Sequence, residues 1–241
     1  MEINGQQVND RAEYAQLGLS PEIMQAVEKK GYVQATPIQV GAIPYFMEWK
    51  DVIAKAPTGT GKTFAFGIPM VEHVDPEDSQ VQALVLAPTR ELALQIQDEL
   101  RDLCAFKEGV RVACLYGGQP IEKQVTQLKK NPQIVVATPG RLMDLHDQGF
   151  IHLDQLEIFV LDEADRMLDM GFIHDVKKIL KWLPREKQTM LFSATMPPEI
   201  AELVDSLLRD PARIAVDPVS SPVEAIRQSV YLVDKGNKTR L

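Results

Sequence analysis

The sequence is poor in several features that would point to particular classes of protein. It has 2 cysteines, Cys104 and Cys114, which form no CxxC pair, and aromatic residues make up only 6%. The four histidines lack metal-ligand spacing, and residues 1–10 lack the apolar core of a secretion signal. No apolar run approaches the ~20 residues that cross a bilayer. We therefore expect reduced thiols, no structural zinc, no membrane partner and a cytoplasmic protein.

An excess of positive charge is also missing. Lys and Arg total 26 against 34 Asp and Glu, which gives a formal net charge of −8. Proteins that bind nucleic acid through a broad basic surface usually carry the opposite balance. The apolar fraction of 45% and the charged fraction of 25% are those of an ordinary soluble domain. Disorder, collagen and coiled coil are therefore disfavoured.

What the sequence does contain is an alternation of short apolar runs with amphipathic helical segments. Most of the apolar runs do not alternate with polar residues, as expected for strands that are covered on both faces. We predict strands at 52–54, 83–87, 110–116, 134–137, 158–161, 189–192 and 213–216, and helices at 91–103, 175–182 and 198–208. This order predicts an α/β fold with a mostly parallel, doubly wound sheet flanked by helices.

The C-terminal part of the sequence changes character. Residues 217–227 are rich in Pro and Ser and are typical of a linker, and 228–234 have the pattern of one more strand. A strand without partners is not stable alone. We therefore predict a domain at 1–216, a linker at 217–227 and the truncated start of a second domain at 228–241.

A glycine-rich loop follows the first predicted strand, at 52–54. Residues 56–63 (APTGTGKT) lie between that strand and a helical segment, the context of a phosphate-binding loop. Glycines let the backbone curl so that its N–H groups bind phosphate, Lys62 would reach the β- and γ-phosphates, and Thr63 would bind Mg²⁺. We expect the nucleotide-binding residues here to be Pro57, Thr58, Gly59, Thr60, Gly61, Lys62 and Thr63.

A cluster of carboxylates follows the predicted strand at 158–161. Carboxylates at the carboxyl end of a parallel strand lie where ligands bind in such folds. Asp162 is a candidate Mg²⁺ ligand, and Glu163 is a candidate for orienting or deprotonating an attacking water. The alternative is a solvated acidic turn. We take Lys62, Thr63, Asp162 and Glu163 as the catalytic set.

Seven short motifs follow one another along the chain: GYVQATPIQ at 31–39, APTGTGKT at 56–63, PTRELALQ at 88–95, GG at 117–118, TPGR at 138–141, DEAD at 162–165 and SAT at 193–195. In this order they resemble the motifs of the first RecA-like domain of a DEAD-box ATP-dependent RNA helicase. The resemblance implies a RecA-like P-loop NTPase domain that binds ATP, Mg²⁺ and RNA. It also implies an RNA-dependent ATPase that unwinds duplex RNA together with a second RecA-like domain in the same chain.

The resemblance further implies roles at the base end of the nucleotide site. Gln39 would read the adenine edge through its amide, which both donates and accepts hydrogen bonds. Tyr14 stands where the family places an aromatic that stacks on adenine, although a packing aromatic is the alternative. Gln34 would add a backbone or side-chain contact.

The same resemblance implies a coupling motif. The hydroxyls of Ser193 and Thr195 would bond Asp165 and so couple the nucleotide state to domain closure. The alternative for these two residues is a Ser/Thr turn at a strand end.

The remaining motifs are expected to face RNA. Residues 88–90 and 138–141 each follow a predicted strand and begin a helix, so each offers a helix N-terminus and an arginine to a phosphate backbone. The two glycines at 117–118 allow close approach of a strand, and binding should not depend on sequence. The alternative for the arginines is a surface ion pair. The expected RNA contacts are Pro88, Thr89, Arg90, Gly117, Gly118, Thr138, Pro139, Gly140 and Arg141.

The sequence leaves two other functions open. A DNA helicase or translocase would share the nucleotide site, and a non-catalytic nucleotide-gated clamp would share much of the fold. For residues 1–241 we expect a monomer that binds ATP with Mg²⁺, hydrolyses it slowly without a second domain, and binds RNA weakly through local contacts.

Overall fold

A nine-stranded sheet forms the centre of the computed structural model, which describes residues 1–7 and 11–216. The predicted linker at 217–227 and strand at 228–234 lie outside the described residues. The strands are β1 (Glu2–Ile3), β2 (Gln6–Gln7), β3 (Ala12–Glu13), β4 (Gln34–Ala35), β5 (Val52–Lys55), β6 (Ala83–Leu86), β7 (Val112–Leu115), β8 (Ile134–Ala137), β9 (Ile158–Leu161), β10 (Gln188–Ser193) and β11 (Ala212–Ala215).

The strand order in the large sheet is β2-β1-β11-β5-β10-β9-β6-β8-β7. From β11 to β7 every neighbouring pair runs parallel, whereas β1 pairs antiparallel with β11 and β2 antiparallel with β1. Separately, β3 pairs antiparallel with β4. The predicted mostly parallel sheet is confirmed. The sequence did not predict β1 to β4, because two residues are too few to establish a period.

Helices cover both faces of the sheet. They are α1 (Pro21–Lys29), α2 (Pro37–Met47), α3 (Lys62–His73), α4 (Arg90–Leu103), α5 (Ile121–Leu128), α6 (Pro139–Asp147), α7 (Ala164–Asp169), α8 (Ile173–Ile179) and α9 (Pro198–Leu207). Among residues 1–7 and 11–216, no helix is long and apolar enough to cross a membrane.

Each of the strands β5 to β10 contributes to two hydrophobic cores. In β6, Ala83 and Val85 join the core under α1 to α4, while Leu84 and Leu86 join the core under α6 to α9. The side chains of a strand point alternately to opposite faces, so a strand that is covered on both sides needs an apolar residue at every position. This explains why the apolar runs identified the strands.

The predicted bounds agree with the observed elements to within one residue at each end, except in two places. The strand predicted at 110–116 is shorter, and the helix predicted at 175–182 lies a little earlier, at Ile173–Ile179. The strand predicted at 189–192 begins at Gln188, a polar residue that the apolar pattern excluded. The Gln188 side chain is buried because its Nε2 donates to the carbonyls of Phe46 and Lys50, at 2.8 and 3.0 Å.

Parallel strands place all their carboxyl ends at one edge of the sheet. The loops after β5, β6, β8, β9 and β10 therefore meet there, and each of these strands leads into a helix or turn that carries one of the motifs. We call this side the carboxyl edge and the opposite side the basal edge. The known ligand sites of open α/β sheets lie at the carboxyl edge.

Candidate functional site

A cavity of about 410 Å³ lies at the carboxyl edge, above β5 and β9. It collects most of the residues that the sequence assigned to nucleotide binding: Tyr14, Gln34, Gln39, Thr58, Gly59, Gly61, Lys62, Thr63, Asp162 and Glu163. Pro57 and Thr60 do not line it; the Thr60 hydroxyl instead donates to the Pro57 carbonyl at 2.9 Å, inside the loop. The volume lies in the range of small-molecule sites.

The loop between β5 and α3 has the left-handed backbone that its glycines permit. Gly59 has φ +82° and Gly61 has φ +89°. At Gly61 an added Cβ would lie 2.6 Å from Nε2 of Gln39 and 2.9 Å from Oγ1 of Thr36. Only glycine fits here, both for its conformation and for the space around it. Gly61 is also the residue just before α3, so the loop ends at a helix N-terminus, which attracts anions.

Two buried charges meet below the loop. Nζ of Lys62 lies 3.5 Å from Oδ1 of Asp162, and that oxygen also accepts a hydrogen bond from the Glu163 backbone at 2.9 Å. Burial raises the pKa of Asp162 to about 6, against the opposing effect of the Lys62 ammonium. The protein itself therefore holds Lys62 and Asp162 next to each other.

The second carboxylate is held in an unusual backbone conformation. Glu163 has φ +50°, in the left-handed region, which costs a non-glycine residue about 1–2 kcal/mol. Its Oε1 accepts from the Thr58 hydroxyl at 3.2 Å, and its Oε2 pairs with Arg166, also at 3.2 Å. Glu163 thus bridges the phosphate loop and α7, with its carboxylate beside the cavity.

The donor set at this place suits a magnesium ion that arrives with phosphate. Among the described residues, no group of three His, Cys, Asp or Glu side chains could hold a metal ion by itself. Magnesium commonly binds one or two protein oxygens and completes its shell with water and substrate phosphates. Asp162 and Thr63 both line the cavity and offer side-chain oxygens of the kind that this chemistry uses.

Gln39 connects the base end of the cavity to the phosphate loop. Its Oε1 accepts from the Tyr14 hydroxyl at 2.5 Å and from the Thr36 backbone at 2.8 Å, while its Nε2 donates to the Gly61 carbonyl at 3.0 Å. Both ends of the amide are used within the protein. The sequence could not anticipate this link to Gly61, because the two residues lie in different motifs.

The aromatic residues at the base end require a correction. Tyr14 was expected to stack on adenine, but its side chain is 2% exposed and its hydroxyl is bonded to Gln39. Burial raises its pKa to about 12. Tyr14 therefore packs beneath the cavity, as the alternative interpretation had it. Tyr32 also lines the cavity but is 47% exposed and meets Phe64 edge to face, so its ring is accessible to a base.

Tyr32 was missed although it lies in the first motif. The signal available in the sequence was an aromatic residue inside the motif, two positions before Gln34. Gln34, the other predicted contact in this motif, is exposed at the mouth of the cavity, where its Nε2 donates to Glu13 across the β3–β4 pair at 3.3 Å.

The structure brings the three predicted coupling residues together. Both the backbone N–H and the hydroxyl of Thr195 donate to Oδ2 of Asp165, each at 2.9 Å, and the Asp165 backbone donates to the Ser193 hydroxyl oxygen at 3.2 Å. Burial opposes ionisation of Asp165, but the bonds from Thr195 and Ser193 outweigh it, so its pKa is lowered. The loop after β10 is thereby tied to α7.

The motifs expected to face RNA lie further along the carboxyl edge. Arg90 is exposed at the start of α4, with its guanidinium 5.0 Å from the centre of the Tyr116 ring. Thr89 caps α4 by accepting from the Leu92 backbone at 3.3 Å. Gly118 has φ +81°, and a Cβ added there would meet only Nη1 of Arg90, at 3.8 Å. Arg90 and the exposed backbone of Gly118 therefore lie next to each other.

Two predicted RNA contacts are buried prolines. Pro88 and Pro139 are both buried, and Pro139 is the first residue of α6. They fix the turns that lead into α4 and α6 rather than facing solvent. Gly117, Thr138, Gly140 and Arg141 do share a cavity of about 340 Å³ at this part of the edge.

Arg141 also differs from the expectation. Its side chain is 12% exposed, and both of its terminal nitrogens donate to the Gln119 carbonyl at 3.0 Å. The buried Gln124 holds the same loop, since its amide bonds both the N–H and the carbonyl of Tyr116. Arg141 and Gln124 therefore fix the backbone beside Gly117 and Gly118. Sequence reasoning missed Gln124, which belongs to none of the motifs.

Comparisons with known proteins agree on one family. A model of the DEAD/DEAH box helicase family matches residues 36–203. The chain is 49% identical over 225 residues to the DEAD-box ATP-dependent RNA helicase CshA of Geobacillus kaustophilus, covering 93% of this chain and 48% of that protein. The CshA of Bacillus subtilis is 45% identical, with 93% and 45% covered.

A solved structure gives the same result for the fold. The DEAD box protein from Methanococcus jannaschii superposes with a TM-score of 0.82 at 41% identity, covering 86% of this chain and 57% of that one. The fold is therefore the RecA-like domain of these proteins. The chain spans about half the length of the curated relatives it matches.

Proposed function

Because the chain belongs to the DEAD/DEAH box helicase family, we propose that residues 1–216 are the nucleotide-binding domain of an ATP-dependent RNA helicase. The observation that carries the proposal is the meeting of Lys62, Asp162 and Glu163 at one cavity with the glycine loop that precedes α3. The reaction is hydrolysis of ATP to ADP and phosphate, and it drives the separation of duplex RNA.

In this proposal each part of ATP meets its own group of residues. The backbone N–H groups of residues 58–63 and the Lys62 ammonium bind the phosphates. The exposed ring of Tyr32 stacks on the adenine. Gln39 lies beneath the base and holds the phosphate loop in position through its hydrogen bond to the Gly61 carbonyl. The pairing of Lys62 with Asp162, 3.5 Å apart, supports a position for the lysine at the bottom of the phosphate site.

Thr63 and Asp162 hold the Mg²⁺ ion that accompanies ATP. When bound, that ion neutralises developing charge on the phosphates. The second carboxylate, Glu163, is bonded to Thr58 of the phosphate loop, so it lies beside the terminal phosphate position and can orient the attacking water. Burial and the neighbouring Glu163 charge raise the pKa of Asp162, and a cation beside it would favour its ionised form.

RNA binds along the other part of the carboxyl edge, through Arg90 and the backbone of residues 117–118 and 138–141. Contacts of this kind read phosphate and sugar, so binding is independent of sequence. The net charge of −8 leaves these local contacts without the support of a wide basic field, and RNA affinity of this domain alone is weak.

A second RecA-like domain completes the site in the whole protein. We assign residues 217–227 to the linker and 228–241 to the start of that domain, and we take the 241-residue chain to be a monomer. The second domain supplies arginines to the transferring phosphoryl group, so the chain alone turns ATP over slowly. The protein works in the cytoplasm, where ATP and RNA are both available.

The proposal is tested by the substitution Glu163→Gln. The variant should bind ATP with Mg²⁺ as tightly as the unchanged chain, because the amide keeps the size of the carboxylate, but ATP hydrolysis should be lost. Fluorescent nucleotide titration measures the binding, and release of phosphate measures the turnover. Hydrolysis at the original rate would show that Glu163 is not the residue that orients the water.

The choice of nucleic acid needs a separate measurement on the whole protein. We expect single-stranded RNA to stimulate its ATPase activity and DNA of the same sequence to do so far less. Stimulation by DNA alone would instead assign the protein to the DNA-dependent members of the superfamily.

A further inference from the structure

A second large cleft lies at the basal edge, far from the nucleotide and RNA motifs. It has a volume of about 740 Å³ and is formed by the end of α8, the loop at 180–187 and the end of α9. This basal cleft has no part in the proposed ATPase reaction, because it faces the amino ends of β10 and β11. Any ligand there could be bound while the carboxyl edge is occupied.

The basal cleft is rich in positive charge within an acidic chain. Its lining includes the cations Lys177, Lys181, Arg185, Lys187 and Arg209, while the whole chain carries a net charge of −8. One of them, Arg209, pairs with Glu186 at 2.8 Å. The other four outnumber the two carboxylates in the lining, so the cleft attracts an acidic ligand.

The carboxylates of the lining are confined to one wall. Glu202 and Asp205 lie three residues apart on α9, whereas Lys177, Lys181 and Arg185 belong to α8 and the loop that follows it. A ligand that fits must therefore tolerate negative charge on one side. A continuous chain of phosphates would not, since it would lie beside Glu202 and Asp205 as well.

Between the two walls the floor is apolar. Leu183 and Leu203 are buried there, and Leu180 and Leu207 are half-buried and line the cleft. Among the described side chains that line it none is aromatic, so it offers no ring on which a nucleobase would stack. An apolar centre with a charged rim is the common anatomy of a protein–protein contact.

The cleft is held open by a buried carboxylate. Asp51 accepts from the Thr189 backbone with one oxygen and from the Arg209 backbone with the other, both at 2.7 Å. Lys187 is tied to its own loop, with Nζ donating to the Pro184 carbonyl at 3.0 Å. The backbone at Thr189 and Arg209 is thereby fixed beside the start of β5, and a ligand would not have to order it, which favours binding.

We propose that the basal cleft is a docking site for an acidic segment of another protein, whose Asp and Glu side chains face Lys177, Lys181 and Arg185. Leucine-sized side chains of the same segment fill the apolar floor. Charge complementarity and the mixed character of the cleft favour this occupant over RNA. The proposal does not depend on the ATPase function, because it concerns the opposite edge of the sheet.

The test is a selection of peptides from a random display library on the immobilised 241-residue chain. Peptides that also bind the variant Lys181→Glu/Arg185→Glu are removed, and survivors are sequenced. Both substituted residues are exposed, so the variant should fold normally. The variant Lys129→Glu/Lys130→Glu carries the same charge change on the exposed end of α5 and serves as the matched control.

We expect survivors rich in Asp, Glu and Leu that bind the chain and the control variant alike. Their affinity for the cleft variant should be at least about tenfold lower, which corresponds to about 1.4 kcal/mol. Failure to enrich any acidic peptide that separates the two variants would overturn the proposal. So would equal weakening by both variants, since that would reveal a general effect of charge.

Binding of a fluorescent oligouridine to the same proteins provides the second measurement. We expect the cleft variant and the control variant to have the same RNA affinity as the unchanged chain. If only the cleft variant loses RNA affinity, the cleft belongs to RNA and the proposed protein partner is wrong.

Discussion

The nucleotide cavity and the RNA-facing part of the carboxyl edge share the same local backbone arrangement, but their charged side chains have different partners. In both, a buried parallel strand ends in a short loop and a helix begins. At the nucleotide cavity the charged groups of different motifs contact each other, as Lys62 does Asp162. At the RNA-facing part, Arg141 is instead bonded to a backbone carbonyl of the protein.

The difference shows how a motif residue acts. A buried charge that lines a cavity is poised for direct contact with a ligand, because little solvent screens it. Arg141 donates both terminal nitrogens to one backbone carbonyl, so it affects RNA binding indirectly, by fixing the shape of the loop. Substitutions should therefore have large, direct effects at the first region and smaller, indirect effects at the second.

The largest effect is expected at Lys62. Substitution Lys62→Ala removes the ammonium from the phosphate site, and losing such a charged hydrogen bond costs about 2–3 kcal/mol, a factor of roughly a hundred in affinity. Titration with a fluorescent ATP analogue measures the change. The exposed Lys55, at the end of β5, is the matched control, and Lys55→Ala should bind ATP normally. Equal losses in both variants would mean that only the general charge matters.

The next effect concerns stability at Gly61. Substitution Gly61→Ala places a methyl group against Gln39 and Thr36 in a left-handed conformation, and we expect a loss of about 2–3 kcal/mol in the free energy of unfolding. Urea denaturation measures it. Gly18 has φ +69° with nothing within 4 Å of an added Cβ, so Gly18→Ala should cost only about 1 kcal/mol. Identical losses would show that the contact with Gln39 is unimportant.

A smaller effect should distinguish the two modes of arginine action. Arg141→Lys keeps the positive charge but cannot donate two hydrogen bonds to the Gln119 carbonyl in the same way. We expect it to weaken RNA binding by about tenfold, as much as Arg141→Ala does, with ATP affinity unchanged. Fluorescence anisotropy with a labelled RNA measures this. If Arg141→Lys binds RNA normally, the positive charge is what matters, and Arg141 contacts the RNA phosphate directly.

The smallest effect is a dependence of stability on pH at Asp165. Because its pKa is lowered in the folded protein, its ionised form stabilises the fold above the ordinary aspartate value, and this contribution is lost as pH falls through the lowered value. Thr195→Val removes the side-chain hydrogen bond and should cost about 1 kcal/mol near neutral pH. The difference from the unchanged chain should shrink in acid, as measured by urea denaturation at several pH values. A difference that is constant with pH would exclude the carboxylate as its source.

The prediction from sequence succeeded best for buried strands and for the glycine loop. The strands at 134–137 and 158–161 were predicted with their observed bounds, because a strand covered on both faces has to be apolar at every position. The glycine loop was equally clear, since its position between a strand and a helix is a local property. It failed for β1 to β4, whose two-residue pairings depend on partners that are distant in the sequence.

The same limit explains the errors at the candidate site. Tyr14 and Tyr32 are both aromatic residues near the first motif, and composition does not tell which of them is buried. Their exposure is decided by packing: Tyr14 lies under the cavity against Gln39, while Tyr32 contacts Phe64 at its surface. Gln124 was missed for the same reason, because its role depends on its hydrogen bonds with the Tyr116 backbone.

The sequence by itself determined the parallel α/β fold, the family and the residue types that gather at the carboxyl edge, because these follow from local periodicity and from motifs in a fixed order. Only the tertiary structure decided which of those residues face a ligand and which hold the protein together. It alone placed Gln39 on the Gly61 carbonyl and Arg141 on the Gln119 carbonyl, and it alone gathered the cations of the basal cleft from α8, the loop at 180–187 and the turn after α9. Such contacts join residues that are far apart in the chain, and no local pattern encodes the distance between them.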